Sequence, residues 1–206
     1  MISQIYLNSD ETNLEDNGID FKVAAKFTKS LHRAEAQADA TSILIHFQSI
    51  GGEWADGMSI YDNIQYSYLP VSIVGHGCLC SMGTIILQAA KKRLLMPNCD
   101  LMVHFGDLTL SGHQVSVESG TRYYTQIKNK MIDIYTDRCM SGNFFTERGY
   151  SRSRVKSYIK RRLESSVDWY MSPEEAVDFG FADKVLSKTE YANVRQIKKR
   201  NTSRNK

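Results

Sequence analysis

The feature that most constrains this chain is the regular alternation, through its first half, of short apolar runs with segments of helical period. Residues 5–7, 43–47 and 71–74 read as strands, and 21–31 and 58–66 read as amphipathic helices between them. Such a strand–helix–strand rhythm predicts an α/β core built on a largely parallel sheet, because each helix must carry the chain back to start the next strand in the same direction. Beyond it, residues 82–90 read as a helix, 93–96 and 101–104 as short strands, 115–118 as extended, and about 121–139 as a long helix. Ser172-Pro173-Glu174-Glu175 supplies an N-cap, a proline at the first helical position and a glutamate three residues after the cap, and Gly180 supplies the stop. Residues 182–186 then form the last expected strand.

At 206 residues, with three prolines, no internal repeat and no low-complexity linker, the chain is read as one domain. No apolar run approaches the length of a bilayer crossing, and Met1-Ile2-Ser3-Gln4 has neither a basic nor an apolar leader segment, so a membrane location and export are not expected. Cys78, Cys80, Cys99 and Cys139 lack paired metal-ligand spacing and are read as reduced, mostly buried thiols of a cytoplasmic protein. The formal charge of +3 is unevenly spread. Residues 187–206 hold seven Lys/Arg and one Glu, a net +6 that leaves the rest near −3. That stretch is read as a solvated basic tail, with binding of nucleic acid or an acidic partner the less favoured alternative.

Three segments could carry chemistry. In Gly75-His76-Gly77-Cys78-Leu79-Cys80-Ser81-Met82-Gly83-Thr84, a strand ends in small residues and passes straight into a helix. Ser81 therefore stands where the helix N-terminus offers positive charge and free N–H groups to a developing oxyanion, although serine at a helix start is most often only an N-cap. Gly51-Gly52 follows the strand 43–47, and paired glycines there let the main chain approach a ligand closely, or simply make a turn. His104 ends an apolar run and could serve as the base a serine needs. His46, inside its strand, is read as a hydrogen-bonded core residue. Asp168, before Trp169-Tyr170-Met171, either orients a base from a buried junction or is a solvated loop acid.

Taken in order, Gly51-Gly52, Gly57-Met58-Ser59-Ile60-Tyr61-Asp62, Ser81-Met82-Gly83, Arg93-Leu94-Leu95-Met96-Pro97-Asn98, Met102-Val103-His104 and Asp168-Trp169-Tyr170-Met171-Ser172-Pro173-Glu174-Glu175-Ala176 resemble the Clp protease proteolytic subunit family over roughly residues 3–186. The resemblance implies a crotonase-like β/α superhelix with a protruding strand–helix handle at about 111–140, inside a peptidase domain at 1–186 that the basic tail at 187–206 follows. It implies a catalytic Ser81, His104 and Asp168, an oxyanion hole from the amides of Gly52 and Met82, and no metal or organic cofactor. It also implies a ring-shaped homo-oligomer, a heptamer or a double ring of fourteen, enclosing a chamber for unfolded polypeptides, which would pair with a strand edge near 108–118.

The departures are specific. Ile50 replaces a proline of the glycine turn, Leu79 a small residue, and Phe105-Gly106 the Gln-Pro that commonly follows the histidine. Val167 stands where the family has an arginine used between rings, which removes one contact that would stabilise a double ring. The chain starts almost at the first core strand, which argues against docking to a standard AAA+ unfoldase and suits a phage-encoded or accessory form. The rival functions are a catalytically silent ring subunit, an acyl-CoA hydratase or isomerase on the same superhelix, and a serine–lysine peptidase using Lys91 or Lys92. Both lysines lie about three helical turns from Ser81, too far to serve.

Overall fold

The computed structural model describes residues 1–7 and 18–196. The alternating half of the sequence folds as expected, with β1 (Ile2–Leu7), α1 (Phe21–Glu35), β2 (Ser42–Ser49), α2 (Trp54–Gln65), β3 (Val71–Cys80) and α3 (Met82–Ala89). β1, β2 and β3 pair in parallel. β2 is buried on both faces, as a central parallel strand must be: Ile43, Ile45 and Phe47 enter the main core while Leu44 points to a second, smaller cluster. α1 starts where the Asp20 carboxylate accepts from the Val23 N–H (2.8 Å), and it turns Ala24, Phe27, Leu31 and Ala34 into the core.

β3 is where the sheet divides. Its first half, Ser72–Gly75, pairs with β4 (Lys92–Leu95), and its second half, Cys78–Cys80, pairs with β5 (Asp100–Val103). The register against β2 slips by two residues between Phe47 and Ser49, so β3 bulges there and bends, and its end leaves one neighbour for another. β5 then takes β6 (Trp169–Met171) as an antiparallel partner, while β4 takes β7 (Lys184–Val185). This mixed α/β architecture with a parallel sheet is the expected fold class.

α4 (Gln114–Cys139) runs 26 residues, about 39 Å at 1.5 Å per residue. Its buried residues, Met131, Ile132, Tyr135, Thr136 and Cys139, all lie in its last three turns, leaving the first half to project. The anchored half is tied to α3. The Tyr135 hydroxyl meets Thr84 Oγ1 at 2.6 Å, and Arg138 donates to the Gln88 and Ala90 carbonyls at 2.6 and 2.7 Å. The helix starts seven residues before the expected position, so Val115–Glu118 is helical rather than extended. The handle is carried by α4 alone, and no strand edge exists at 108–118. Val115 and Val117 carry a β-branched signal, but no strand lies beside them to pair with, and the His113 side chain instead accepts from the Val115 N–H (3.3 Å) to cap the helix.

Three further helices follow: α5 (Asn143–Thr146), α6 (Arg152–Ser165) and α7 (Pro173–Asp178), the last with the capping box its sequence announces. The segment read as a basic tail begins with α8 (Lys188–Val194), capped by Ser187 and Glu190. α8 is held by packing: the partly buried Tyr191 and Val194 lie on Leu44, Val74, Leu94 and Leu186, the apolar face of the sheet that the main core does not cover. Residues 197–206 lie outside the described residues.

Candidate active site

Three neighbouring strands bring the candidate residues together. Cys80 pairs with Met102 across β3 and β5, and the Ser81 N–H donates to the Met102 carbonyl at 2.7 Å. Val103 pairs with Trp169 across β5 and β6, so the next step outward sets His104 opposite Asp168. Strand register alone thus aligns positions separated by 23 and 64 residues. His104 Nε2 lies 2.8 Å from Ser81 Oγ, and His104 Nδ1 lies 3.1 Å from Asp168 Oδ1. With the proton on Nδ1, the imidazole donates to the carboxylate and accepts from the serine hydroxyl, the polarity that activates an alcohol. Of the two placements open to Asp168 the structure has the more exposed one, with its side chain 37% exposed against 19% for His104, and it meets the histidine from there.

Ser81 occupies φ +52°, ψ −121°, one of two described non-glycine residues at positive φ. Such a conformation costs about 1–3 kcal/mol and persists only where its surroundings enforce it. Here the strand must turn sharply into α3, and the turn lifts the hydroxyl out of capping position. Ser81 makes no side-chain cap hydrogen bond, so the simple N-cap reading is excluded and Oγ is left to His104.

Gly51-Gly52 approaches from the other side, fixed by the Ile19 main chain. The Ile19 N–H donates to the Gly51 carbonyl (2.7 Å) and the Glu53 N–H to the Ile19 carbonyl (2.8 Å). Gly51, at φ +112°, abuts the nucleophile so closely that a Cβ there would lie 2.6 Å from Ser81 Cβ. Gly52, at φ +144°, would meet Ile19 at 2.3 Å. Neither the Gly52 nor the Met82 N–H meets an acceptor among the described residues, and both flank the serine. Two unpaired donors, that of Met82 at the N-terminus of α3 and that of Gly52 in the facing loop, are suited to receive negative charge.

A cleft of about 550 Å³ opens at this point, bounded by Gly52, Ser81, Met82 and His104 on one side and by Leu108, Tyr123, Tyr124 and Ile127 on the other. The α4 wall was not singled out in the sequence, although Tyr124, Ile127 and Met131 follow the i, i+3, i+7 spacing of one helix face. Among the described residues, no group of three or more His, Cys, Asp or Glu is arranged to hold a metal ion.

The remaining candidates lie elsewhere. His46 is buried and hydrogen-bonded, its ring nitrogens 3.1 Å from His76 Nε2 and from Gln4 Oε1. Burial first, then His76 and Arg195, lowers its pKa to about 4, so it stays neutral. All four cysteines are free; Cys99 and Cys139 are buried, while Cys78 and Cys80 are partly exposed. Burial pushes the Cys80 thiol up to about 11 and Cys99 to about 12, which makes them poor nucleophiles beside the serine. No described helix is long and apolar enough to cross a membrane.

Compared with known proteins, residues 6–189 match the family model for Clp protease. Among curated proteins, the ATP-dependent Clp protease proteolytic subunit of Deinococcus radiodurans is 27% identical over 173 residues, covering 83% of this chain and 78% of the relative.

Proposed function

The chain belongs to the Clp protease family, and from that premise we propose that it is a serine endopeptidase in which Ser81 is the nucleophile, His104 the general base and Asp168 the residue that orients the histidine. The single observation that carries this reading is the continuous chain from Asp168 Oδ1 through both ring nitrogens of His104 to Ser81 Oγ, at 3.1 and 2.8 Å.

The chemistry follows from those contacts. As Ser81 Oγ attacks a peptide carbonyl, His104 Nε2 takes the hydroxyl proton and Asp168 stabilises the imidazolium. The oxygen of the tetrahedral intermediate moves toward the Gly52 and Met82 N–H groups, which have no acceptor among the described residues and are free to receive it. His104 returns its proton to the leaving amine, an acyl-enzyme remains, and water activated by the same base releases the second product. Only water is consumed, so the hydrolysis itself needs no ATP, metal or organic cofactor.

The peptidase is one domain reaching residue 186, with α4 as a handle between copies in a ring-shaped homo-oligomer. Its substrates are unfolded polypeptides or peptides, received in extended form by the cleft that runs between α4 and the turn carrying Ser81. The working compartment is the cytoplasm.

The test is Ser81→Ala, which should abolish both hydrolysis of a short fluorogenic peptide and labelling by a fluorophosphonate probe, with the particle mass in solution unchanged. Full peptidase activity in that variant would overturn the mechanism.

A further inference from the structure

The main chain after His104 departs from the family pattern, with Phe105-Gly106 in place of Gln-Pro, and the loss of the proline removes a built-in restraint beside the base. Residues 104–111 form no strand or helix, and β5 ends at Val103. Gly106 is held at φ +79°, with nothing within 4 Å of where a Cβ would stand. Phe105 packs against the rim of the main core, but no sheet pairing holds the main chain of the loop that carries His104, and nothing packs at the Cβ position of Gly106.

What touches it is α4. The Tyr124 hydroxyl lies 2.8 Å from the Gly106 carbonyl oxygen and 3.2 Å from that of Phe105, and it is the hydrogen-bond partner of both among the described residues. One turn along, the Lys128 ammonium sits 4.1 Å above the centre of the Phe105 ring and 5.8 Å from that of Tyr124. The two contacts come from i and i+4 on one helix face and grip consecutive residues, so the phenol fixes the backbone while the cation fixes the side chain.

We propose that Tyr124, assisted by Lys128, is a positioning residue that clamps Phe105-Gly106 and thereby holds the His104 ring between Ser81 and Asp168. The inference rests on the serine peptidase reading. Tyr124 acts through the loop, not on the scissile bond. Because Tyr124 belongs to the projecting half of α4, any displacement of that half is transmitted to the general base, at the sole place where the helix is hydrogen-bonded to the 104–106 segment among the described residues.

The test compares Tyr124→Phe with the wild-type chain. The substitution removes one oxygen, keeps the ring against the cleft and keeps the face that Lys128 approaches. The kcat for a short fluorogenic peptide should fall about 10-fold, within the range produced by sub-ångström to 1 Å misplacement of a catalytic group, while KM changes less than about 2-fold. The rate of Ser81 labelling by a fluorophosphonate should fall by the same factor. Lys128→Met should lower kcat about 3-fold and Lys128→Arg should restore it, since a guanidinium also stacks on Phe105. Unchanged kcat and labelling in Tyr124→Phe overturn the clamp, and a rise in KM alone replaces it with direct substrate contact. A wild-type chain that neither cleaves peptide nor labels at Ser81 instead defeats the peptidase reading. The clamp is then judged by proton NMR of the His104 ring: a hydrogen-bonded Nδ1–H resonance that broadens or is lost in Tyr124→Phe supports it, and an unaltered resonance overturns it.

Discussion

Gly51→Ala tests whether the approach of the Gly51-Gly52 loop to the nucleophile is as tight as the structure makes it. The new methyl carbon would stand 2.6 Å from Ser81 Cβ, 3.2 Å from Ser81 Oγ and 3.2 Å from the Cys80 carbonyl oxygen. Carbon atoms in ordinary contact sit about 3.5–4.0 Å apart, so the two main chains must part by about 1 Å. Ser81 cannot yield by rotating, because the colliding atom is the root of its side chain. In addition, φ +112° lies outside the regions an alanine readily adopts, at a cost of about 1–3 kcal/mol. Movement of Oγ by about 1 Å should lower kcat by about 100-fold, or about 2.7 kcal/mol of transition-state stabilisation. The assay is peptide hydrolysis under saturating substrate, with thermal unfolding recorded alongside. Ser81→Gly supplies the decisive control, since it deletes the Cβ with which the methyl collides. The loss of stability caused by Gly51→Ala should be smaller in the Ser81→Gly background by about 1 kcal/mol or more. A Gly51→Ala enzyme with kcat within 3-fold of wild type, or an equal loss of stability in both backgrounds, would refute the reasoning.

Asp168→Asn should lower kcat by about 10³-fold or more by offering an amide N–H to His104 Nδ1 and favouring the wrong tautomer; stopped-assay kinetics at saturating peptide measure it, and a loss below 10-fold removes Asp168 from the mechanism. Asp183 accepts from the Arg93 main-chain N–H (2.7 Å) and from its guanidinium, on a side chain only 4% exposed, so Asp183→Ala strands a buried charge at the junction of β4 and β7. It should cost about 3 kcal/mol in denaturant unfolding, and a change below 1 kcal/mol would show the cation relocating to water. For His46, the unfolded imidazole takes up its proton as pH falls through about 6.5 while the folded one resists to about 4. The unfolded state then binds more protons, so stability drops across that window, by about 2 kcal/mol, and thermal unfolding from pH 7.5 to 4.5 should show a smaller drop in His46→Gln.

Legibility in the sequence followed burial and periodicity. β2 and β3 were readable because central parallel strands are apolar on both faces, and α7 because its capping box is local. α6 was missed although Val155, Ile159 and Leu163 keep a four-residue spacing, since the charges between them obscured it. β6, only three residues long, carries too little pattern to read. α8 was read as tail because its apolar residues, Tyr191 and Val194, gain meaning only against a sheet face that the sequence does not display. The same limit hid the far wall of the cleft, which is a surface shared by a helix and a loop.

What the sequence by itself determined is the set of local decisions: where apolar runs alternate with amphipathic helices, where glycines permit tight turns, and where a strand must stop at a serine. Those depend on neighbours along the chain. Only the tertiary structure decided that Asp168 and His104 share a register, that Ser81 abandons its capping role, and that Tyr124 reaches the loop beyond the base. Each depends on distances across strands and between layers, and those are set by which surfaces bury one another once the chain closes.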